Sequence, residues 1–163
     1  MKSEITFRMA KPSDTALILE FIKALAGYEK MLDEVVATEE LLNEWIFQKQ
    51  KAEVLFAMLD GREIGFALFF HNFSTFLGRA GIYLEDVFVL PEYRHRGCGR
   101  LIFRELARIA KKRGCGRLEW WCLEWNRPSI DFSLSMGAEK MDDWRVYRIA
   151  GETLDALAGE RQL

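Results

Sequence analysis

The run Arg94-His95-Arg96-Gly97-Cys98-Gly99-Arg100 places three arginines and two glycines within seven residues. It follows Gly81–Leu90, a mostly apolar stretch that predicts a strand buried on both faces. It precedes Ile102, Leu106, Ile109 and Ala110 at helical spacing, which predicts a helix from about Gly97 to Arg113. A glycine-containing turn between strand and helix lets backbone N–H groups converge on an anion. The helix start adds a partial positive charge at the same spot. The expected ligand is a phosphate or pyrophosphate. The pentapeptide Arg-Gly-Cys-Gly-Arg recurs at Arg113–Arg117, but there it follows a helix and precedes a strand, so its glycines read as a helix stop. No Gly-Lys-Ser/Thr follows the first copy, which excludes the Walker pattern. The third glycine of a dinucleotide fingerprint is replaced by Ile102.

Glu85 and Asp86 stand inside the apolar strand, where a carboxylate is costly unless it is used or paired. Glu85 is the candidate base, and strand alternation sets Asp86 on the opposite face. The competing reading is an ion pair with an arginine. The three cysteines, Cys98, Cys115 and Cys122, form no C-x-x-C pair and the chain has two histidines. Free thiols in a reducing compartment, and no structural zinc, are expected.

The elements that must position these residues fit within one domain. The chain has 163 residues, half of them hydrophobic and 29% charged, ordinary for a soluble globular protein. A single domain over 1–163 is expected. Lys plus Arg is 23 and Asp plus Glu is 25, a formal net charge of −2, which argues against nucleic acid as the main partner. No run approaches a membrane span and no charged-then-apolar leader opens the chain, so the expectation is a cytoplasmic protein. Patterning predicts a strand at Glu4–Met9 and a helix from Ser13 to about Gly27, with Leu17, Ile18, Phe21, Ile22 and Leu25 inward. Thr38 caps a short helix with Leu41, Leu42 and Trp45 inward. A hairpin follows at Ala52–Leu59 and Ile64–His71, turning at Asp60-Gly61-Arg62, then a loop from Asn72 to Ala80. After the long helix come a strand at Arg117–Leu123, a helix at Pro128–Met136, a strand at Trp144–Ile149 and a helical turn at Glu152–Leu157. The strand–helix–strand over residues 81–123 is a parallel crossover. The order implies an α/β (α+β) fold, a mixed sheet with helices on both faces.

The pattern Arg-x-x-Gly-x-Gly after a long strand, opening a helix, resembles the acetyl-CoA loop of the GNAT N-acetyltransferases. The element order matches that fold, whose sheet is mostly antiparallel with one splayed parallel pair. Tyr83-Leu84-Glu85-Asp86, Tyr93-Arg94, Glu124-Trp125-Asn126 with Pro128-Ser129-Ile130 and Phe132, and Gly137-Ala138 resemble the spermidine/spermine branch, which includes the diamine and thialysine acetyltransferases. So do Ile22-Lys23, Leu25-Ala26, Tyr28-Glu29 and Trp144-Arg145. The likeness covers about residues 5 to 150.

The resemblance implies that pantetheine pairs with backbone at Val87, Phe88 and Val89, as a peptide pairs with a strand edge. Arg94, His95, Arg96, Gly97, Cys98, Gly99 and Arg100 then hold the pyrophosphate, and Asn126 and Ser129 contact the cofactor. Asn126 also reads as a helix cap before Pro128. The implied reaction is direct attack of an amine on the thioester, without metal. The ammonium must first lose a proton, and Glu85 is the candidate base, directly or through water. The branch has Tyr where this chain has Ser133, as the acid for the departing thiolate. A serine hydroxyl is a poorer acid, so water, Cys98, Tyr93 or Tyr147 substitutes, or the thiolate leaves unaided. The acceptor side implied is acidic and aromatic: Tyr28, Glu29, Glu85, Asp86, Glu119, Trp121, Asp142 and Trp144. That suits a small cationic amine, such as a polyamine, diamine or thialysine. A homodimer is implied as well. The alternatives are acetylation of a protein lysine or N-terminus, and a CoA-binding module without catalysis.

Overall fold

A computed structural model describes residues 4–159 of the protein. Residues up to Leu123 form one compact unit and those from Glu124 a second.

The first unit is built on a five-stranded sheet in the order β1-β2-β3-β4-β5. These are β1 (Thr6–Met9), β2 (Glu53–Leu59), β3 (Arg62–Ser74), β4 (Arg79–Val89) and β5 (Leu118–Trp120). The first four pair antiparallel and β4–β5 is parallel. The sheet is mixed and mostly antiparallel, as expected. The turn between β2 and β3 puts Asp60 at φ 50° and Gly61 at φ 77°, the twist that suits a two-residue hairpin. The expected loop over 72–80 is shorter. β3 runs on to Ser74 and β4 starts at Arg79, because the Ser74 hydroxyl and carbonyl take the Leu77 and Gly78 amides and close a tight turn.

Helices cover both faces of this sheet. α1 (Thr15–Tyr28) buries Ile18 and Phe21 in a core with Ile46, Val54, Phe56, Phe66 and Phe88. The Phe21 ring stacks on Phe66 at 5.1 Å. Each such side chain contributes about 1.5–3 kcal/mol by leaving water. α3 (Cys98–Lys112) covers the other face with Ile102, Phe103, Leu106 and Ile109, and Phe103 meets Trp120 of β5 edge-on at 4.8 Å.

Ahead of α1, Asp14 takes the Lys11 amide at 2.7 Å, and its carboxylate is also gripped by Arg8 at 2.8 and 2.9 Å. One local expectation changes. The short helix α2 (Glu39–Leu42) is capped by Thr38 as expected. It continues into a wider π-helical stretch, Asn43–Gln48. The wider turn brings Ile46 inward and leaves Leu41 and Trp45 exposed, with Lys49 over the Trp45 ring.

The second unit contains α4 (Arg127–Ser135) and α5 (Gly151–Gly159). The strand expected over Trp144–Ile149 is not formed. Alternating apolar residues select extended backbone, but a strand exists only where a neighbour takes its N–H and C=O groups. Among the described residues no strand ladder includes Trp144–Ile149, and Trp144, Val146 and Tyr147 stand 67%, 75% and 92% exposed.

Candidate active site

β4 and β5 are paired over a short stretch, and β4 runs on beyond it. They pair only at Ile82–Leu118, Tyr83–Glu119 and Leu84–Trp120. β4 continues to Val89 while β5 stops at Trp120. The Leu90 amide bonds the Ile64 carbonyl of β3, so by ladder alternation Phe88 turns its backbone groups to β3 while Val87 and Val89 turn theirs to the side β5 has left, where the Val89 carbonyl takes the Arg94 Nε–H; a ligand carrying amides can pair with such an edge as a strand does. A bulge lies at the point of separation. Leu68 of β3 pairs with Asp86 and the next residue, Phe69, pairs with Leu84, so Glu85 is an extra residue. A bulge bends its strand and strengthens the twist.

Beyond the open edge, β4 leads through the turn Pro91–Tyr93 into the loop. His95 is at φ 61° and Gly97 at φ 81°. The left-handed backbone at Gly97 is where α3 begins, a conformation that glycine adopts at little cost. The first N–H groups of α3 have no partner within the helix. His95, Arg96, Gly97 and Arg100 are exposed beside them. The second copy of the pentapeptide behaves as a helix stop: Gly114 is at φ 72° and the Cys115 amide closes onto the Ala110 carbonyl.

Two loop side chains point elsewhere. Cys98 is 2% exposed, and burial pushes its thiol pKa up, so it offers the loop its backbone and keeps its proton. Arg94 donates through Nε to the Val89 carbonyl at 2.8 Å. Its guanidinium lies over the Phe88 ring at 4.9 Å and the Tyr28 ring at 5.2 Å. The Arg94 Nε–H is thus spent on β4, and its expected part in holding an anion rests on the other N–H groups of the guanidinium. Arg96 and Arg100 are exposed in the same stretch.

The carboxylates gather on the α1 side. Asp86 pairs with Leu68, which packs against the core beneath α1. The bulge puts Leu84 and Asp86 on opposite faces, although they are two residues apart, and brings Glu85 beside Asp86 rather than across the sheet from it. Burial, then the neighbouring charges of Glu85 and Glu29, push the Asp86 carboxyl up to about 7. Burial also raises the Glu29 carboxyl at the end of α1. Along the same face, Tyr83 stands beside Phe70 at 5.4 Å. Its phenol is raised by burial and by Glu85 and Glu119. Asn72 donates to Glu119 at 3.2 Å. Tyr83 and Asn72 escaped the sequence reading, since Asn72 was expected in a loop and only the β3–β4 register shows what faces Glu119. Trp121 lies just beyond β5, about half exposed.

In the second unit Asn126 precedes α4 and is 8% exposed. Its side chain makes no capping bond to the helix, so the cap reading does not hold for the side chain. Ser129 is half-buried in the first turn. Ser133 donates its hydroxyl to the Ser129 carbonyl at 2.9 Å. Asp142 is 3.7 Å from Lys140, and Arg145 donates to its carbonyl at 2.6 Å. Trp144 is exposed and not part of a core. Among the described residues no group of His, Cys, Asp and Glu has metal-site spacing, and no helix is long and apolar enough to cross a membrane.

A mostly antiparallel sheet with one parallel pair, whose longer strand leads through a glycine-containing turn into a helix, is the arrangement expected of an acetyltransferase of the GNAT fold. Residues 19–138 match the acetyltransferase (GNAT) family model; the chain belongs to that family and is an acetyltransferase. It is 35% identical over 168 residues to a thialysine N-epsilon-acetyltransferase of Bos taurus, covering 96% of this chain and 98% of the relative. Over 93 residues it is 42% identical to the L-ornithine N5-acetyltransferase NATA1 of Arabidopsis thaliana, covering 57% of this chain and 41% of that one. An integron cassette protein from the mobile metagenome of V. cholerae superposes with a TM-score of 0.80 at 25% identity, covering 96% and 98% of the two chains.

Proposed function

We propose that the protein transfers the acetyl group of acetyl-CoA to a primary amine of a small cationic acceptor, with the whole chain acting as one catalytic domain. The observation that carries the acceptor class is the group of carboxylates Glu29, Glu85 and Asp86 around the bulge, with Glu119 farther along the same face. Such a surface favours a cation. The full-length likeness to thialysine acetyltransferase and the partial likeness to an ornithine acetyltransferase support an amino-acid-like or diamine acceptor. Acetyl-CoA supplies an activated acetyl thioester. The loop amides from His95 to Gly99, with Arg96 and Arg100, suit its pyrophosphate, and the β4 edge at Val87 and the Val89 amide suits its amide-bearing arm, the Val89 carbonyl being taken by Arg94.

The acceptor arrives as an ammonium and must give up a proton before its nitrogen can attack. The Glu85–Asp86 pair is the base. Asp86 holds a proton with an affinity near neutrality, the range in which a general base works best. A cation entering beside Asp86 favours its ionised form, which readies it to take the ammonium proton. Tyr28, Glu29, Glu119, Trp121, Asp142 and Trp144 are proposed to contact the acceptor, and Asn126 and Ser129 the cofactor. Those of the second unit rest on the resemblance alone. Ser133 already donates to Ser129, so proton delivery to the departing thiolate falls to water or the thiolate leaves unaided. A homodimer and a cytoplasmic setting complete the proposal.

The test is thiol release from acetyl-CoA with thialysine, ornithine, lysine, spermidine, a diamine and a lysine peptide, for wild type and Ser133→Tyr. Release with the small amines and not with the peptide is expected. Release with the peptide alone refutes the small-acceptor reading. CoA binding without release in either protein refutes catalysis on this panel in favour of a binding module. A faster Ser133→Tyr identifies thiolate protonation as the slow step.

A further inference from the structure

We propose that Arg94 is a positioning residue that couples the cofactor loop to the acceptor side through the ring of Tyr28. The inference rests on the reading of the loop as the CoA site. Arg94 opens that loop, yet its side chain turns back. Its Nε–H is held by the Val89 carbonyl at 2.8 Å, and its guanidinium lies near Phe88 at 4.9 Å and Tyr28 at 5.2 Å. Three elements thereby meet on one planar cation: the open end of β4, the loop and the last residue of α1. Glu29, next to Tyr28, is among the charges that act on Asp86.

The loop needs such a tether. His95 follows directly and holds φ 61° without being glycine, a conformation that persists only where surrounding contacts enforce it. A guanidinium can donate from Nε while stacking its plane on a ring, and an ammonium on a flexible stem cannot do both. Tyr28 should therefore affect cofactor binding by holding Arg94 in place, and Arg94 should affect the acceptor side through Tyr28. A purely structural arginine at this position predicts neither effect.

The experiment titrates CoA, with no amine present, into wild type, Arg94→Lys, Tyr28→Leu, Tyr28→Phe and Arg94→Lys/Tyr28→Leu. Thermal unfolding of each variant is recorded alongside. Arg94→Lys is expected to weaken CoA binding about tenfold, the scale of one hydrogen bond from a charged donor. Tyr28→Leu is expected to weaken it about threefold, the scale of one cation–π contact. Tyr28→Phe keeps the ring and stays within twofold of wild type, and the double variant is no weaker than Arg94→Lys. The coupling is overturned if Tyr28→Leu binds CoA like wild type while folded, or if the two losses multiply in the double variant. A wild type that binds no CoA overturns the cofactor reading itself, and the coupling with it. If Tyr28→Leu does not fold, the comparison passes to Tyr28→Trp, which keeps a stacking face. Loss of binding in that folded variant beyond the Arg94→Lys level also overturns the proposal.

Discussion

Replacing Asp86 with Asn removes the group that the fold treats least well as an anion. In the unfolded chain this carboxyl ionises near 3.8, and in the folded protein burial and the charges of Glu85 and Glu29 raise it to about 7. Below about pH 4 both states carry the proton and the site costs nothing. Between 4 and 7 the unfolded chain sheds the proton while the folded protein retains it, so stability falls as pH rises. Above 7 the penalty is complete. A rise from 3.8 to about 7 corresponds to at most about 4 kcal/mol, and to about 2 kcal/mol with partial solvent relaxation. Asp86→Asn should therefore gain about 2 kcal/mol on wild type between pH 4 and pH 8, whatever constant offset the amide introduces. Urea unfolding at a series of pH values reads this directly. The same variant should lose most amine-dependent thiol release, and the acidic limb of the rate profile near pH 7 should disappear from what remains. Parallel stability curves for the two proteins from pH 4 to 8 would refute the reasoning, because they would show that Asp86 ionises as freely folded as unfolded.

Two further outcomes follow from other parts of the fold. Gly97→Ala forces a side chain onto backbone at φ 81°, which costs about 1–2 kcal/mol. It should lower the thermal midpoint by a few degrees and weaken CoA binding more than tenfold, and a variant that binds CoA normally contradicts the loop assignment. Arg8 holds Asp14 and Glu63, and its hydrogen bonds keep both carboxyls below their ordinary range. Their contribution is present above about pH 4 and is lost as pH falls through the lowered folded values. Arg8→Met should cost about 1–3 kcal/mol at pH 7 and flatten the acid limb of stability, as measured by urea unfolding from pH 7 to pH 2.5.

What the chain determines alone is what short stretches decide. The Arg94–Arg100 run could be read because a left-handed glycine, a helix start and the preceding apolar strand are all local. The helix stop at Gly114 and the hairpin at Asp60-Gly61 were legible for the same reason. The crossover over residues 81–123 followed from the alternation of periods, and family likeness carried it to an acetyltransferase. Tertiary structure decided the rest. The bulge that brings Glu85 beside Asp86 is a property of pairing with β3, and nothing in the sequence of β4 announces the extra residue. Arg94 lies next to two other candidate anion binders, but where its side chain goes depends on Phe88, Val89 and Tyr28, and Tyr28 comes from a helix more than sixty residues earlier. The alternating segment Trp144–Ile149 shows the limit most plainly. Residue alternation selects an extended backbone, but only a neighbouring strand at hydrogen-bonding distance turns that backbone into sheet.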